Sequence, residues 1–350
     1  MSPFSFGGDN LFLGIDIGDS SLKMVELKKK NRQIHLVNYA FSENVSEINF
    51  MKVDDVSYLA NAINKVKTEA GIEGRKVTVS LPTFSVFSSI INISSVDKKS
   101  LANAVNEEAK KVIPLPLEEM TLDWKIVPDA NGKTPTKGNM QIFLTGSPKK
   151  LVRKYIDIFK AAKLELASLE TETFSLVRSL IGNDKSTVMI VEIGANSTDL
   201  SIVRESIPVL NRSLAVCGST VTKALSDKMG ISYAQAEQFK LDLSLSLNTD
   251  TRKALPLLIQ STLEPIVTEM QYMIDFFRSQ NNGDIEKVIL SGGSAMLLNL
   301  ADYFSKRLNL KVIVGDPWSR INYPAELKPV LSEVGPKLAV AIGLAMREIE

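Results

Sequence analysis

Two stretches half a chain apart carry the same succession of apolar and polar positions. Leu11-Phe12-Leu13-Gly14-Ile15 is an apolar run that ends in Asp16-Ile17-Gly18 and the polar turn Asp19-Ser20-Ser21. Leu22-Lys23-Met24-Val25-Glu26-Leu27 then alternates apolar with polar residues, the pattern of a half-buried strand. Gln33-Ile34-His35-Leu36-Val37 follows as a third strand. Val188-Met189-Ile190-Val191 likewise ends in Glu192-Ile193-Gly194 and the turn Ala195-Asn196-Ser197, before strands Leu200-Ser201-Ile202-Val203-Arg204 and Ile207-Pro208-Val209-Leu210. Asp16 and Glu192, Gly18 and Gly194, and Ser21 and Ser197 are each 176 residues apart, close to half of the 350-residue chain. A β-meander repeated at that spacing predicts a duplicated α/β fold whose two halves face each other.

Helical spacing takes over between these strands. Val56, Leu59, Ala60, Ile63, Val66 and Ala70 share a helix face that Gly71 closes as the residue past the cap, and Lys76-Val77-Thr78-Val79-Ser80-Leu81 returns as a strand. From 83 to 147 the rhythm changes to a strand near 86–93, a helix with Leu101, Val105, Ala109 and Val112 on one face, and strands at 122–127 and 140–145. This is a small α+β unit inserted in the first half. Its Gly/Pro/Lys-rich stretch 128–138 reads as a mobile hairpin loop. Ser147-Pro148 is expected to open the next helix with serine as N-cap and proline at the first helical position, above an apolar stripe of Leu151, Val152, Tyr155, Ile156 and Phe159. A further helix is expected at 174–181, and helices near 219–228, 233–239 and 257–279 would roof a cleft. Finally Lys287-Val288-Ile289-Leu290 reads as a buried strand, Ser291-Gly292-Gly293-Ser294 as a turn, and 295–300 as the start of a helix. The expected division is a first lobe at 1–82 and 148–182, the insert at 83–147, and a second lobe at 183–350 whose helical roof spans about 218–283.

Composition narrows the function. A chain of this length fits two domains, and 44% hydrophobic residues can fill two cores. With 41 Lys+Arg against 40 Asp+Glu, the net charge of +1 gives no field to attract nucleic acid. A single cysteine, Cys217, and a single histidine, His35, exclude a disulfide framework, a Cys/His zinc site and most catalytic triads. No apolar run is expected to reach the length of about 18 residues that spans a bilayer, and residues 1–10 lack signal-peptide character, so a cytoplasmic location is expected.

The paired turns carry candidate chemistry. Backbone N–H groups crowded at a glycine bend wrap phosphate oxygens, and the hydroxyls of Ser20, Ser21 and Ser197 add donors. An acid just before the glycine can hold hydrated Mg²⁺ against the phosphates, which makes Asp16 and Glu192 metal candidates. Alone, each segment is compatible with an ordinary hairpin turn; two in register point to a polyphosphate clamp. Lys23 shares a strand face with Ser21 and can reach a phosphate, or stand as an exposed strand lysine. Glycines at Ser291-Gly292-Gly293-Ser294 would let a base or ribose approach the backbone. Neither G-x-G-x-x-G nor a P-loop occurs.

In this order the three elements resemble the phosphate-1, phosphate-2 and adenosine motifs of the actin, sugar-kinase and heat-shock-chaperone ATPase superfamily, over almost the whole chain. Within it the chain resembles the PilM family of type IV pilus assembly, a relative of the FtsA cell-division family. Asp16-Ile17-Gly18-Asp19-Ser20-Ser21-Leu22-Lys23 with Val25-Glu26-Leu27 matches that family's opening, and Val112-Ile113-Pro114-Leu115-Pro116-Leu117-Glu118-Glu119 with Leu122-Asp123-Trp124 its middle segment. Gly230-Ile231-Ser232-Tyr233-Ala234-Gln235-Ala236-Glu237 is similar to its ribose-side helix, and Leu338-Ala339-Val340-Ala341-Ile342-Gly343-Leu344-Ala345 to its closing helix. The resemblance implies an actin-like (ribonuclease H-like) α/β fold, two lobes around a nucleotide cleft, with ATP and Mg²⁺ as cofactors. It implies Asp16 positioning the metal through water, Gly18, Ser20, Ser21, Lys23, Gly194, Asn196, Ser197 and Thr198 on the phosphates, and Gly218, Glu237, Lys240, Gly292, Gly293 and Ser294 on the nucleoside. Glu237 and Lys240 also fit a plain surface ion pair. Glu172, or Glu170 two residues earlier, stands where relatives orient the attacking water. Glu192 stands where many relatives have aspartate; its extra methylene moves the carboxylate by about 1.5 Å, so slow or absent hydrolysis is expected.

Other functions of the same fold fit less well. A small-molecule kinase needs a carboxylate base in a second pocket, and no acceptor-site signature is evident. A dehydratase activator needs cysteines for an iron–sulfur cluster. FtsA-like filament proteins usually carry a C-terminal amphipathic helix, whereas this chain runs out at Met346-Arg347-Glu348-Ile349-Glu350 after its Ala/Gly-rich helix. The PilM-like reading implies that the insert docks the N-terminal cytoplasmic peptide of a PilN-type membrane protein, with Ile113 to Pro116 near the groove or simply ending a helix. Other pilus-platform proteins, the assembly ATPases and self-association complete the expected partners. Membrane contact would be indirect, on the inner-membrane face; the basic turn Lys28-Lys29-Lys30-Asn31-Arg32 fits lipid heads or a solvated hairpin tip.

Overall fold

The computed structural model describes residues 11–18, 21–43, 55–94, 100–128, 139–245, 255–280 and 283–349. Ser20, and the expected hairpin loop beyond Pro128, lie outside the described residues.

The first meander is β1 (Leu11–Ile17), β2 (Ser21–Lys30) and β3 (Gln33–Glu43). Helix α1 (Val56–Glu69) follows, its first turn capped by Asp55, whose carboxylate accepts from the Ser57 and Tyr58 N–H groups at 2.8 and 3.0 Å. Its last turn closes at Gly71 with φ +64, as the sequence suggests. Strand β4 (Lys76–Leu81) then pairs parallel with β1.

The insert holds β5 (Phe87–Ile93), α2 (Leu101–Val112), β6 (Met120–Ile126) and β7 (Met140–Pro148), in a sheet ordered β5-β7-β6 with its own apolar core. The expected cap at Ser147 does not form. β7 stays in register with β6 as far as the pair Met120 and Pro148, so Ser147 belongs to the ladder and Pro148 itself stands at the cap before α3 (Lys149–Ala161). Next come β8 (Glu165–Thr171) and α4 (Glu172–Leu176), which starts two residues earlier than expected and widens into a π-helical turn at Val177–Ile181.

The second meander is β9 (Val188–Ile193), β10 (Thr198–Arg204) and β11 (Ile207–Leu214), followed by helices α5 (Gly218–Met229), α6 (Tyr233–Leu245) and α7 (Leu257–Ser279). Strand β12 (Lys287–Ser291) pairs parallel with β9. After its Gly-Gly turn only a short 3₁₀ turn forms at Gly293–Met296, and helix α8 (Leu300–Leu308) begins later than the sequence suggests. Strand β13 (Lys311–Val314) completes a sheet ordered β11-β10-β9-β12-β13.

The chain then crosses back. Strand β14 (Ile321–Asn322) pairs parallel with β3 at the edge of the first sheet, whose order is β14-β3-β2-β1-β4-β8. Helix α9 (Lys328–Met346) packs Leu338, Ala341, Ile342 and Ala345 against Val25 and Leu27 of β2, with Trp318 and Ile321 in the same cluster. The assignment of all of 183–350 to the second lobe alone is therefore corrected: its last thirty or so residues also cover the first sheet, and α9 lies between the two sheets, with Ala339, Val340 and Leu344 against Val188, Ile190 and Ile289 of the second. Two glycines let α9 sit this close. A Cβ on Gly14 would strike the Ala341 carbonyl, and one on Gly343 would strike the Ser175 carbonyl of α4. By length and composition Ala325–Met346 is apolar enough to cross a bilayer, which the sequence reading did not anticipate; 67% of it is buried inside this fold, as a core helix.

The insert also touches the second lobe. Val127 and Phe143 cluster with Ile207, the Phe174 ring meets Phe143 edge-on at 5.5 Å, and Asn211 Nδ2 on β11 donates to Ser88 Oγ on β5 at 3.0 Å.

Candidate functional site

The two meander turns are built alike. Gly18 N–H donates to the Ser21 carbonyl and Gly194 N–H to the Ser197 carbonyl, each at 2.9 Å. The strand registers match too, and there the halves diverge. Asp16 lies opposite Lys23, whereas Glu192 lies opposite Asp199. In the first lobe Lys23 Nζ is 2.8 Å from Asp16 Oδ2, and Ser80 Oγ of β4 donates to Asp16 Oδ1 at 2.9 Å. Asp16 is thus fixed from both neighbouring strands. In the second lobe Ser197 Oγ donates to Asp199 Oδ2 at 3.1 Å. Asp199 was missed in the sequence, although it stands 176 residues after Lys23, the spacing that located the other pairs.

Electrostatics bring the two turns into one site. Glu172, the first residue of α4, accepts from the Thr83 N–H at 2.8 Å and the Thr83 hydroxyl at 3.0 Å. Burial pushes its carboxyl well above the ordinary range, and the charges of Glu192, Asp16 and Asp199 push the same way. Burial, then Asp16, raise Glu192 to about 8 against the opposing pull of Lys23. Burial pulls Lys23 down, but Asp16, with Glu192 and Glu172 behind it, carries its pKa above the usual value. Four carboxylates and one ammonium thus act on one another's charge, although among the described residues no three acids come close enough together to ligate a metal ion directly. Glu170 is differently engaged: Arg178 reaches it at 2.6 and 3.0 Å and Arg347 at 2.9 Å, tying β8 to the end of the chain.

The other expected residues gather around Gly218. Its N–H donates to the Gly194 carbonyl at 2.9 Å, and a Cβ there would lie 2.7 Å from Ser294 Oγ and 3.5 Å from Lys240 Nζ. Lys240 is only 7% exposed; its ammonium meets Glu237 and the Thr222 hydroxyl at 2.8 Å and the Gly218 carbonyl at 3.2 Å. Lys240 is therefore buried within this pair, while the Glu237 side chain stays 38% exposed.

One expected contact is reassigned. Thr198, the first residue of β10, is turned inward, fully buried, and its hydroxyl donates to the Val216 carbonyl at 2.7 Å, so it does not face the phosphates. Gly292, at φ +85, has a packing role as well: a Cβ there would lie 2.5 Å from the Ile193 carbonyl, so the glycine lets its turn pack on β9. Gly293 and Asn196 are exposed, and Ser294 and Ser197 stand beside them.

A separate cavity of about 420 Å³ opens between the insert and the second lobe. Phe84, Phe87 and Leu115 give it apolar walls, and Asn211 and Arg212 of β11 form the far side. Phe84 is 58% and Leu115 47% exposed, large apolar side chains facing water. Of the segment 113–116, Ile113 is buried as the cap of α2, and Pro114 and Leu115 line the cavity.

Comparison with known proteins places this geometry. The family model of type IV pilus assembly protein PilM matches residues 14–349. A solved PilM-PilN type IV pilus biogenesis complex contains a chain of 25% identity and TM-score 0.79, covering 97% of this chain and 98% of that one. Ethanolamine utilization protein EutJ from Carboxydothermus hydrogenoformans shares the fold at 16% identity and TM-score 0.56, over 98% of this chain and 91% of its own. Cell division protein FtsA of Streptococcus pneumoniae is 22% identical over 255 residues, 67% of this chain and 56% of the relative. The matched region thus spans a little over half the length of that curated relative.

Proposed function

The chain belongs to the PilM family of type IV pilus assembly proteins, and from that premise we propose that it is an ATP-binding, actin-like scaffold on the cytoplasmic face of the inner membrane. The observation that carries this reading is the pair of identically closed glycine turns whose acids share one electrostatic cluster. The amides at Gly18 and Gly194, the hydroxyls of Ser20, Ser21 and Ser197, and Asn196 would hold the phosphates. Among the described residues no three acids are gathered to ligate a cation directly, so Asp16 and Glu192 would hold Mg²⁺ through water. Bound Mg²⁺ supplies charge neutralisation of the phosphates. Gly218, Glu237, Lys240, Gly293 and Ser294 would take the ribose and base. Glu172 is the better candidate than Glu170 to orient water, since Glu170 is held by two arginines. Burial raises Glu192 to about 8, so Asp16 would carry most of the hold on the hydrated Mg²⁺ at neutral pH and Glu192 less, which supports slow or absent hydrolysis.

The insert would serve as the docking platform. The solved complex pairs a similar chain with PilN, and the cavity beside Phe84 and Leu115 fits a short extended apolar segment, the N-terminal cytoplasmic peptide of a PilN-type membrane protein. Nucleotide state would set that affinity, since the cavity has walls from both lobes. Other pilus-platform proteins, the assembly ATPases and further copies of the chain are additional proposed partners.

Thermal unfolding with Mg-ATP tests the site. Wild type should be stabilised and Asp16→Ala should not; equal stabilisation of both places the nucleotide elsewhere.

A further inference from the structure

Helix α3 turns a face of one sign to solvent. Lys149, Arg153, Lys160 and, just past the helix, Lys163 follow one another along one stripe, and all are exposed. Asp157 is the only carboxylate on the helix. Ile156 lies in the same stripe at 49% exposure, while Tyr155, Ile158 and Phe159 fill the core behind it.

Solvated helix faces usually mix signs, and the neighbouring helices do so. On α2, Lys110 pairs with Glu107 at 2.6 Å and Lys111 with Glu108 at 2.7 Å; on α1, Lys65 pairs with Glu69 at 4.0 Å. On α3, Lys149 donates to the Glu118 carbonyl at 2.7 Å, and among the described residues Arg153, Lys160 and Lys163 form no ion pair. Like charges three or four apart repel, so the arrangement weakens the helix and favours an anionic surface laid along it. The chain as a whole is only +1, so this concentration is local.

We propose that α3 lies directly against anionic phospholipid headgroups, with its cations on the phosphodiesters and Ile156 at the acyl boundary. Cations flanking an exposed apolar side chain on a convex helix are the surface that interfacial helices present to a bilayer. The helix also starts at Pro148, which lines the cavity between the lobes. A peptide running from that cavity to its own membrane span would leave beside α3; the choice of a bilayer over an acidic protein rests on the docking reading above.

The full chain would be sedimented with vesicles of phosphatidylcholine alone and of equal parts phosphatidylcholine and phosphatidylglycerol. It should bind only the mixed vesicles, less at high salt. Arg153→Glu/Lys160→Glu should weaken binding at least about tenfold, and the neutral pair Arg153→Gln/Lys160→Gln should do so less, each with an unchanged thermal midpoint. Lys110→Glu/Lys111→Glu on α2 should bind as wild type. No binding to mixed vesicles, full binding by the α3 variants, or an equal loss in the α2 control overturns the proposal. So does binding of polyglutamate without binding of vesicles, which would make the occupant an acidic protein. PilN-type peptide affinity, read by anisotropy on the same samples, is a separate readout: its absence with vesicle binding intact defeats the docking reading alone.

Discussion

Lys23 and Asp199 occupy the same place in the two meanders and carry opposite charges. The first turn is thereby neutralised within its own hairpin, and the second is left acidic. Burial first, then Asp16 and to a smaller degree Asp199, keep the proton on Glu192 to about 8 in the folded chain, against an ordinary 4.5. A raised acid contributes stability that is whole below the unfolded value and is lost as pH rises through the folded one. Wild-type stability without nucleotide should therefore fall between 4.5 and about 8, and Glu192→Gln, which cannot ionise, should flatten much of that fall. Thermal melts across this window read the slope; parallel slopes in the two proteins would reject the assignment. The acids of the two turns were legible from the constant offset. Their strand partners were not weighed, because the offset was followed along the turn rather than across the hairpin. Thr198 and Ser197 are indistinguishable as hydroxyls in a list of residues, and only the alternation of β10 tells which one faces inward.

At the level of elements, the repeated meanders, α1 and α7 follow from apolar periodicity, and their ends from Gly71 and the turn residues. α9 was legible as a buried helix but not as a neighbour of β1 and β2. A helix apolar on all sides carries no mark of which sheet it covers. Its register on α4 depends on Gly343, where a Cβ would strike the Ser175 carbonyl. Gly→Ala in an exposed helix gains about 1 kcal/mol, but overpacking against backbone costs about 3 kcal/mol. The second effect should win: Gly343→Ala should lower the urea midpoint markedly, while an unchanged midpoint would mean that α9 sits elsewhere. Pro148 shows the opposite failure. Ser-Pro is a sound helix opening, yet the ladder with β6 outweighs it by holding Ser147 in the strand.

Across the whole molecule, the contacts that join the insert to the far lobe include one beside the cavity, Asn211 Nδ2 on Ser88 Oγ at 3.0 Å. Closing the lobes on nucleotide would shift β11 against β5 and change the cavity between them. Mg-ATP should then change the affinity of a labelled PilN-type peptide by about fivefold or more, and Asn211→Ala should reduce that response. Equal affinities with and without Mg-ATP in wild type would remove the coupling. The return of the chain to its first sheet has a consequence for biosynthesis. β14 and α9, made long after the first meander, supply an edge strand and a covering layer to the sheet whose strands emerge first. The nascent first half must therefore wait with one face of β1 and β2 uncovered, and the second sheet waits as well, because Ala339, Val340 and Leu344 of α9 pack against Val188, Ile190 and Ile289. One helix thus closes the apolar face of both sheets, and neither half has its full cover until α9 has been made.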